Sequence, residues 1–146
     1  MNHLGIDPGM SGGVGIIEDD GTVVTFAFSK LTEKDIADLI SGFEKEGTFA
    51  YIENVHSMPK QGVASSFKFG KSFGFLLGCL ACAEIPFELV SPQKWQKFMG
   101  CLTHGDKNIS KAKAQQLFPT LRITHANSDA LLIAEYGRRT RCKSGN

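Results

Sequence analysis

The chain has 146 residues, a mass of 15.9 kDa and a formal net charge of +1, which predicts a single domain over residues 1–146 with a flexible tail in the last few residues. Hydrophobic residues make up 42% and charged residues 21% of the sequence, a composition typical of soluble globular proteins. The sequence has no apolar stretch that could cross a bilayer and no signal peptide at its start, which argues against a membrane-spanning or secreted protein and predicts a cytoplasmic one without a membrane partner.

The first 28 residues predict three short strands, LGID, GVGIIE and TVVTFAF. Glycines after Asp7 and the DDG at 19–21 supply the turns between them, so the strands should form an antiparallel meander. Asp7 is unusual in this pattern, because it ends an apolar strand and is followed at once by a proline and several glycines.

A helix and a fourth strand come next. In LTEKDIADLISGFEKEG, Thr32 is placed to cap a helix and Gly47 is expected to end it. The apolar residues that line one face of this helix are Ile36, Leu39, Ile40 and Phe43. FAYIENV then predicts a strand rich in aromatic and β-branched residues, and this strand also carries a carboxylate near its end, Glu53.

A long helix is predicted after the polar loop HSMPKQG. The segment VASSFKFGKSFGFLLGCLACAE has helical apolar spacing, although Gly70, Gly74 and Gly78 weaken it and leave room for another backbone to approach. Cys79 and Cys82 form a C-x-x-C pair, a spacing that elsewhere binds zinc or is redox-active. No second ligand pair has matching spacing, so we expect two buried structural cysteines without a disulfide.

The next segments predict a fifth strand and two helices. PFELVSP is the strand, and QKWQKFMG is a short helix in which Trp95 is expected to pack in the core rather than stack on nucleic acid. CLTHGDKN predicts a mobile loop. A basic helix is expected from 109 to 118, capped by Asn108 or Ser110.

The segment NSDALLIAEYGRR predicts the last helix, with Asn127 or Ser128 as its cap and Asp129 in its first turn. Hairpin strands followed by alternating strands and helices indicate an α/β fold, in which a mixed sheet has helices on both faces.

Asp7, Glu53 and Asp129 are expected to meet at one edge of the sheet. A central first strand can neighbour the fourth, and the last helix can bring its carboxylate to the same place. Three carboxylates repel one another unless a hard cation holds them, and oxygen ligands favour Mg²⁺ or Mn²⁺. Taken singly, the residues also fit a turn, a surface charge and a charge at a helix N-terminus. Their joint occurrence in this order favours a metal site.

Three segments, in order, resemble the RuvC-type Holliday junction resolvases, especially their compact bacteriophage-like branch. The segments are GIDPGMSGGVG, YIENVHSMP and HANSDALLIAEYGRR, and the resemblance covers essentially the whole chain. It implies an RNase H-like fold, whose five-stranded mixed sheet has three antiparallel meander strands followed by two parallel ones. It also implies a homodimeric, Mg²⁺-dependent endonuclease of DNA recombination and repair that cuts a four-way junction symmetrically, in the host cytoplasm if the source is a phage.

The resemblance assigns catalytic and metal-binding roles to Asp7, Glu53 and Asp129. The family has a fourth ligand about one helical turn before the last aspartate, but here that position is Ala126, which cannot bind metal. His125 is the expected replacement, as a neutral ligand or proton carrier, and the alternative is a helix-cap histidine. Two Mg²⁺ ions per site are implied, with Mn²⁺ as a substitute and no nucleotide cofactor, one ion activating water and the other stabilising the leaving oxygen.

The charge distribution fits either a polyanion-binding face or a solvated basic tail in the second half of the chain. Residues 1–90 carry six lysines against twelve acids, whereas residues 91–146 carry ten basic residues against three acids. The residues expected to contact DNA are Lys60, Lys68, Lys71, Lys107, Lys111, Lys113, Phe67 and Phe69. The lysines would neutralise phosphates. The two phenylalanines would stack on unpaired bases at the junction centre, or else belong to the core or a dimer interface.

Two other functions compete with junction cleavage. The D-P-G-x-S-G-G segment resembles a phosphate-binding loop of actin-like ATPases and phosphotransferases, but those proteins contain two copies of the fold and 146 residues hold only one. A catalytically weak or inactive protein that binds branched DNA is suggested by Ala126, although the three retained acids argue against it. The sequence leaves open whether junctions are preferred over forks and flaps.

Overall fold

The structure is a computed structural model that describes residues 1–56 and 59–143, with positions 142 and 143 described by their backbone alone. The predicted flexible tail and two residues of the predicted polar loop lie outside the described residues. None of the helices within these ranges is long and apolar enough to span a membrane.

Five strands form one mixed sheet with β1 at its centre. They are β1 (Asn2–Asp7), β2 (Gly13–Ile17), β3 (Val23–Ala27), β4 (Thr48–Glu53) and β5 (Phe87–Val90), in the spatial order β3-β2-β1-β4-β5. The first three strands pair antiparallel through short turns. The fourth joins the first, and the fifth joins the fourth, in parallel through helical connections. The predicted meander followed by two parallel strands is confirmed.

Two helices cover one face of the sheet. α1 (Glu33–Ser41) begins with a capping box, in which the Thr32 side chain accepts a hydrogen bond from the Asp35 N–H and the Asp35 carboxylate accepts one from the Thr32 N–H. α2 (Val63–Cys82) is the longest helix of the part described. The buried residues of this layer are Leu4, Ile6, Val14, Ile16, Phe28, Ile36, Ile40, Ala50, Ile52, Leu76, Leu80 and Ile85.

Three helices cover the other face: α3 (Pro92–Met99), α4 (Lys107–Leu117) and α5 (Ser128–Lys143). α5 is the most deeply buried of them, since every residue from 130 to 137 is buried. The buried residues of this second layer are Phe49, Tyr51, Val90, Trp95, Met99, Cys101, Ala114, Ile123, Leu131, Leu132, Ile133 and Tyr136. Helices therefore lie on both faces, as predicted.

α5 crosses the sheet in direct contact with its backbone. A Cβ atom on Gly5 would lie 2.1 Å from the carbonyl oxygen of Ala130 and 2.2 Å from the nitrogen of Ala134. One on Gly15 would lie 2.8 Å from the nitrogen of Leu131. Because only glycine leaves room for a helix so close to the strands, these two positions set the distance of α5 from the sheet and place its N-terminus near the end of β1.

Two helix boundaries differ from the sequence prediction. α1 ends at Ser41, with Gly42 as its C-cap, whereas the predicted end, Gly47, closes a separate 3₁₀ turn that starts at Lys45. A helix can end before the apolar pattern does when the chain has to turn back toward the next strand.

α4 begins two residues earlier than predicted, at Lys107, and neither Asn108 nor Ser110 is its cap. The side chain of Asp106 caps it instead by accepting a hydrogen bond of 2.9 Å from the Asn108 N–H. The cap shortens the segment that the sequence predicts as a loop.

The C-x-x-C pair is also different from the expectation. Cys82 is exposed and Cys79 is half-buried, and both are free thiols, so the prediction of two buried cysteines is wrong for Cys82. A Cβ atom at Gly70, Gly74 or Gly78 would meet nothing within 4 Å. Within the described residues, no other backbone approaches this glycine row, which faces open space.

Candidate active site

Asp7 and Glu53 are brought together by the pairing of β1 with β4. Ile6 pairs with Ile52 in parallel register, so the two carboxylates follow at the same edge of the sheet, each at the end of its strand. On the far side, Glu53 pairs with Val90 at the end of β5. The predicted adjacency of the first and fourth strands is confirmed.

Asp129 reaches the same edge from the other direction, as the second residue of α5. The turn before α5 is held against the sheet by Asn127, a buried residue. Its side-chain amide donates to the Thr25 hydroxyl at 3.2 Å and to the Arg122 carbonyl at 3.1 Å, and it accepts from the Thr124 N–H at 2.8 Å. These bonds fix the start of the helix that carries Asp129.

Burial and mutual repulsion dominate the electrostatics of the three acids. The pKa of Asp7 is raised from 3.8 to about 8, first by burial and then by the neighbouring charges of Glu53 and Asp129. Burial also raises the pKa of Glu53, against a hydrogen bond from Trp95 that lowers it. Lys107 is close enough to lower the pKa of both carboxyls. Asp7 and Glu53 thus lie in one poorly hydrated place, where the charge of Lys107 acts on both.

The donor set at this place suits a hard cation. Oδ1 of Asp129 is buried and has no hydrogen-bond partner within the part of the chain described, which is costly for a carboxylate oxygen unless a ligand completes it. All three side chains offer oxygen, the ligand that Mg²⁺ and Mn²⁺ prefer. Among residues 1–56 and 59–141, no three His, Cys, Asp or Glu side chains lie close enough together to hold a metal ion as they stand, so the three acids would have to move together to bind one.

The structure does not place His125 among the three acids. His125 is exposed in the turn before α5, and none of the described contacts joins it to a carboxylate. The carbonyl of the neighbouring Ala126 faces β2, since it would lie 2.8 Å from a Cβ atom on Gly13. The role of His125 as a fourth ligand stays a prediction.

The basic residues predicted to bind DNA divide into three groups. Lys107 lies beside the acids at the start of α4. Lys68 and Lys71 line a cavity of about 290 Å³ whose wall includes Gly9, two residues beyond Asp7. Lys60 is exposed, and Lys111 and Lys113 are half-buried on α4; their DNA-binding roles stay predictions.

The two phenylalanines differ in their surroundings. Phe67 is 74% exposed and is free to meet another molecule. Phe69 is half-buried, and its ring would lie 2.9 Å from a Cβ atom on Gly9, which has φ +104°. Phe69 therefore supports the loop after Asp7, and the glycine at position 9 makes room for this ring.

Sequence reasoning missed two contacts of the site, those of Trp95 and of Asn127. Trp95 is fully buried, as predicted, but its indole N–H also donates to Oε2 of Glu53 at 2.7 Å. A buried tryptophan normally needs a partner for its N–H, which was a signal that a carboxylate or carbonyl lies nearby. Nothing in the sequence pairs Asn127 with Thr25 across 102 residues.

The chain has the fold of solved RuvC structures. It is similar to RuvC from Thermus thermophilus, with 19% identity, a TM-score of 0.62 and coverage of 97% of both chains. It is also similar to T. thermophilus RuvC in complex with a Holliday junction substrate, with 17% identity, a TM-score of 0.66 and coverage of 99% of this chain and 97% of that one. The sequence matches no protein-family model and no curated protein. The predicted RNase H-like fold is confirmed.

Proposed function

We propose that this chain is a structure-selective endonuclease that cleaves four-way DNA junctions by metal-dependent hydrolysis of phosphodiester bonds. The observation that carries the proposal is the convergence of Asp7, Glu53 and Asp129 on one edge of a sheet of the RuvC type. Folding alone gives no reason to bury Asp7 beside two other acids whose charges raise its pKa, whereas a cation site does.

In this proposal Asp7, Glu53 and Asp129 hold two Mg²⁺ ions, for which Mn²⁺ substitutes. The ions supply activation of a water molecule and stabilisation of the leaving 3′-oxygen. The chain positions these ligands: Trp95 holds the carboxylate of Glu53, and Asn127 holds the start of the helix that carries Asp129. Lys107, whose charge acts on Asp7, would pair with the scissile phosphate. The half-buried setting strengthens each of these charge interactions relative to water.

The DNA surface in this proposal extends from the acids to α2. Lys107 contacts phosphate at the site, while Lys68 and Lys71 stand on the helix beside the loop that follows Asp7. Phe67, which is 74% exposed, is the aromatic side chain available to stack on an unpaired base. Phosphate contacts of this kind make affinity strongly salt-dependent.

Symmetric cleavage needs two sites held in a fixed relation, and we propose a homodimer through the outer face of α2. Val63 is 88% exposed at the start of the helix. The glycine row at 70, 74 and 78 continues this face with open space above it. Exposed apolar residues beside small ones allow two helices to approach closely around a two-fold axis.

The test is incubation with a synthetic immobile four-way junction, a fork and a linear duplex, with and without Mg²⁺. We expect paired, symmetric incisions in the junction that need Mg²⁺ and leave ends that a ligase can seal. A protein that binds the junction but leaves all three substrates intact in both Mg²⁺ and Mn²⁺ would instead be a branched-DNA-binding module. The exposed position of His125 and the missing ligand at Ala126 make that the second candidate.

A further inference from the structure

We propose that Trp95 is a positioning residue for the active site, holding the Glu53 carboxylate by its indole N–H so that one oxygen is left to bind a metal ion. The inference rests on the proposed nuclease function for its biological meaning, but the contact itself is within this chain. The N–H of Trp95 donates to Oε2 of Glu53 at 2.7 Å, at the short end of the range for an N–H···O hydrogen bond.

The local fold brings the two residues together. Glu53 ends β4 and pairs with Val90 at the end of β5. Ser91 follows directly and caps α3, accepting a hydrogen bond from the Lys94 N–H. Trp95 therefore lies in the second turn of a helix that begins at the same edge of the sheet as the carboxylate, with its side chain directed back under that edge.

Burial gives this contact its rigidity. Trp95 is 0% exposed and packs among the residues of the second core layer. A large ring surrounded on all sides has one accessible orientation, so its N–H points in a fixed direction. A carboxylate that accepts from such a donor has already lost its rotational freedom. Metal binding therefore does not have to bear that entropy cost.

A neutral indole donor suits a metal-binding carboxylate better than a positively charged lysine or arginine would. An indole N–H is neutral and donates only, so it orients Glu53 without bringing a positive charge that would compete with a cation. With Oε2 engaged, Oε1 is the oxygen that Glu53 has left to offer. Partners that hold a metal ligand in this way contribute substantially to metal affinity.

The experiment compares Trp95→Phe with Met99→Leu. Met99 is buried in the same helix and the same core layer, so its substitution disturbs packing without touching Glu53. We expect Trp95→Phe to weaken Mn²⁺ binding, measured by calorimetric titration of the DNA-free protein, by about tenfold or more. Single-turnover junction cleavage at limiting Mg²⁺ should fall by a similar factor and recover at high Mg²⁺. Met99→Leu should change neither quantity.

A second measurement uses the fact that Trp95 is the only tryptophan. Mn²⁺, a paramagnetic quencher, should quench its fluorescence saturably in the wild-type chain, Mg²⁺ should reverse the quenching, and Asp7→Asn should abolish it. If Trp95→Phe does not fold, replacement of Trp95 by benzothienylalanine keeps the ring shape and removes only the N–H, and the same loss of Mn²⁺ affinity is expected.

The outcomes separate the two proposals. Mn²⁺ affinity that is equal in wild type, Trp95→Phe and Met99→Leu, or in the benzothienylalanine protein, overturns the positioning role. A wild-type protein that cleaves no branched DNA, but whose Mn²⁺ affinity falls in Trp95→Phe, overturns the proposed nuclease and leaves the positioning role in place. Loss of cleavage without loss of metal affinity also overturns the inference, because the effect would then lie elsewhere.

Discussion

Asp7 and Glu53 end adjacent parallel strands at the same level of the sheet, each one residue after Ile6 and Ile52, which pair with each other. This register explains why two carboxylates 46 positions apart in sequence act on each other strongly enough to shift a pKa. It also means that a shift in the register between β1 and β4 would separate the two carboxylates.

The first prediction concerns the three acids. Asp7→Asn, Glu53→Gln and Asp129→Asn should each reduce junction cleavage to the background level, because each removes one charged ligand of the proposed metal site. Junction binding, measured by gel shift in Ca²⁺ or EDTA, should persist because the lysines proposed to contact phosphate are unchanged. Glu33→Gln, on the exposed start of α1, is the matched control. Near-normal cleavage by any of the three variants in Mg²⁺ would contradict the site.

The second prediction concerns the stability of the metal-free chain. The pKa of Asp7 is raised from 3.8 to about 8 in the folded state, so between those values the folded chain holds this proton more tightly than the unfolded chain does. The stability contributed by the protonated carboxyl is complete below about pH 4 and is lost as the pH rises through about 8. Asp7→Asn should therefore be more stable than wild type in EDTA, by on the order of a few kcal/mol at the alkaline end.

Urea unfolding in EDTA across the pH range from about 5.5 to 8.5 measures this difference, which should grow with pH by up to about 1.4 kcal/mol per unit. Asp20→Asn is the control, because hydrogen bonds from Thr22 lower the pKa of Asp20 and its neutralisation has the opposite sign. Mg²⁺ should raise the melting temperature of wild type and not that of Asp7→Asn. If wild type is more stable than Asp7→Asn at high pH in EDTA, the folded state does not raise the pKa of Asp7.

The third prediction concerns His125. If its imidazole completes the metal site, His125→Ala should raise the Mg²⁺ concentration needed for half-maximal cleavage by on the order of tenfold, with junction affinity unchanged. His125→Asp should restore cleavage at least in part, since a carboxylate suits Mg²⁺ better than imidazole does. Thr124→Ala changes an exposed neighbour and serves as the control. Equal Mg²⁺ dependence of His125→Ala and wild type would mean that the site operates with three carboxylates and water.

The fourth prediction concerns the dimer. Gly74→Arg places a long charged side chain in the open space above α2, so it should convert a dimer into a monomer without a change in secondary structure. Glu44→Arg introduces the same side chain on the exposed turn after α1 and should leave the dimer intact. Sedimentation at micromolar concentration measures the difference. A wild-type protein that is monomeric and still cuts junctions symmetrically would rule out this interface.

The fifth prediction concerns Gly5 beneath α5. Gly5→Ala should destabilise the chain by about 3 kcal/mol or more, because its Cβ atom would lie 2.1 Å from a carbonyl of the helix and a packed interior cannot yield that much. Gly47→Ala has nothing within 4 Å of its Cβ atom and should change stability little. Thermal or urea unfolding of both variants decides the matter, and a mild effect at Gly5 would show that α5 can shift on the sheet.

The element order was predictable from local pattern, because apolar runs, caps and turn residues act over a few positions, whereas the pairing of the first and fourth strands was only allowed by that order. The meeting of Asp7 and Glu53 followed from that pairing. The bond between Trp95 and Glu53 was not predictable, since it joins residues 42 positions apart through the geometry of β5 and α3. The exposure of Cys82 was mispredicted for a related reason. Apolar residues lie all around the last turns of α2, so the sequence alone does not show which face packs on the sheet and which faces solvent.

The turn between α1 and β4 lies at the end of the sheet away from the acids, since β4 starts at Thr48 and carries Glu53 at its other end. Five steps along a strand are about 17 Å, and residues 44 to 46 are exposed. A fluorescent tag or a guest domain could therefore be inserted beside Glu44, provided that Lys45 keeps its ion pair with Glu84 just beyond α2. Such a fusion would let single molecules be followed on branched DNA with the tag far from the three acids.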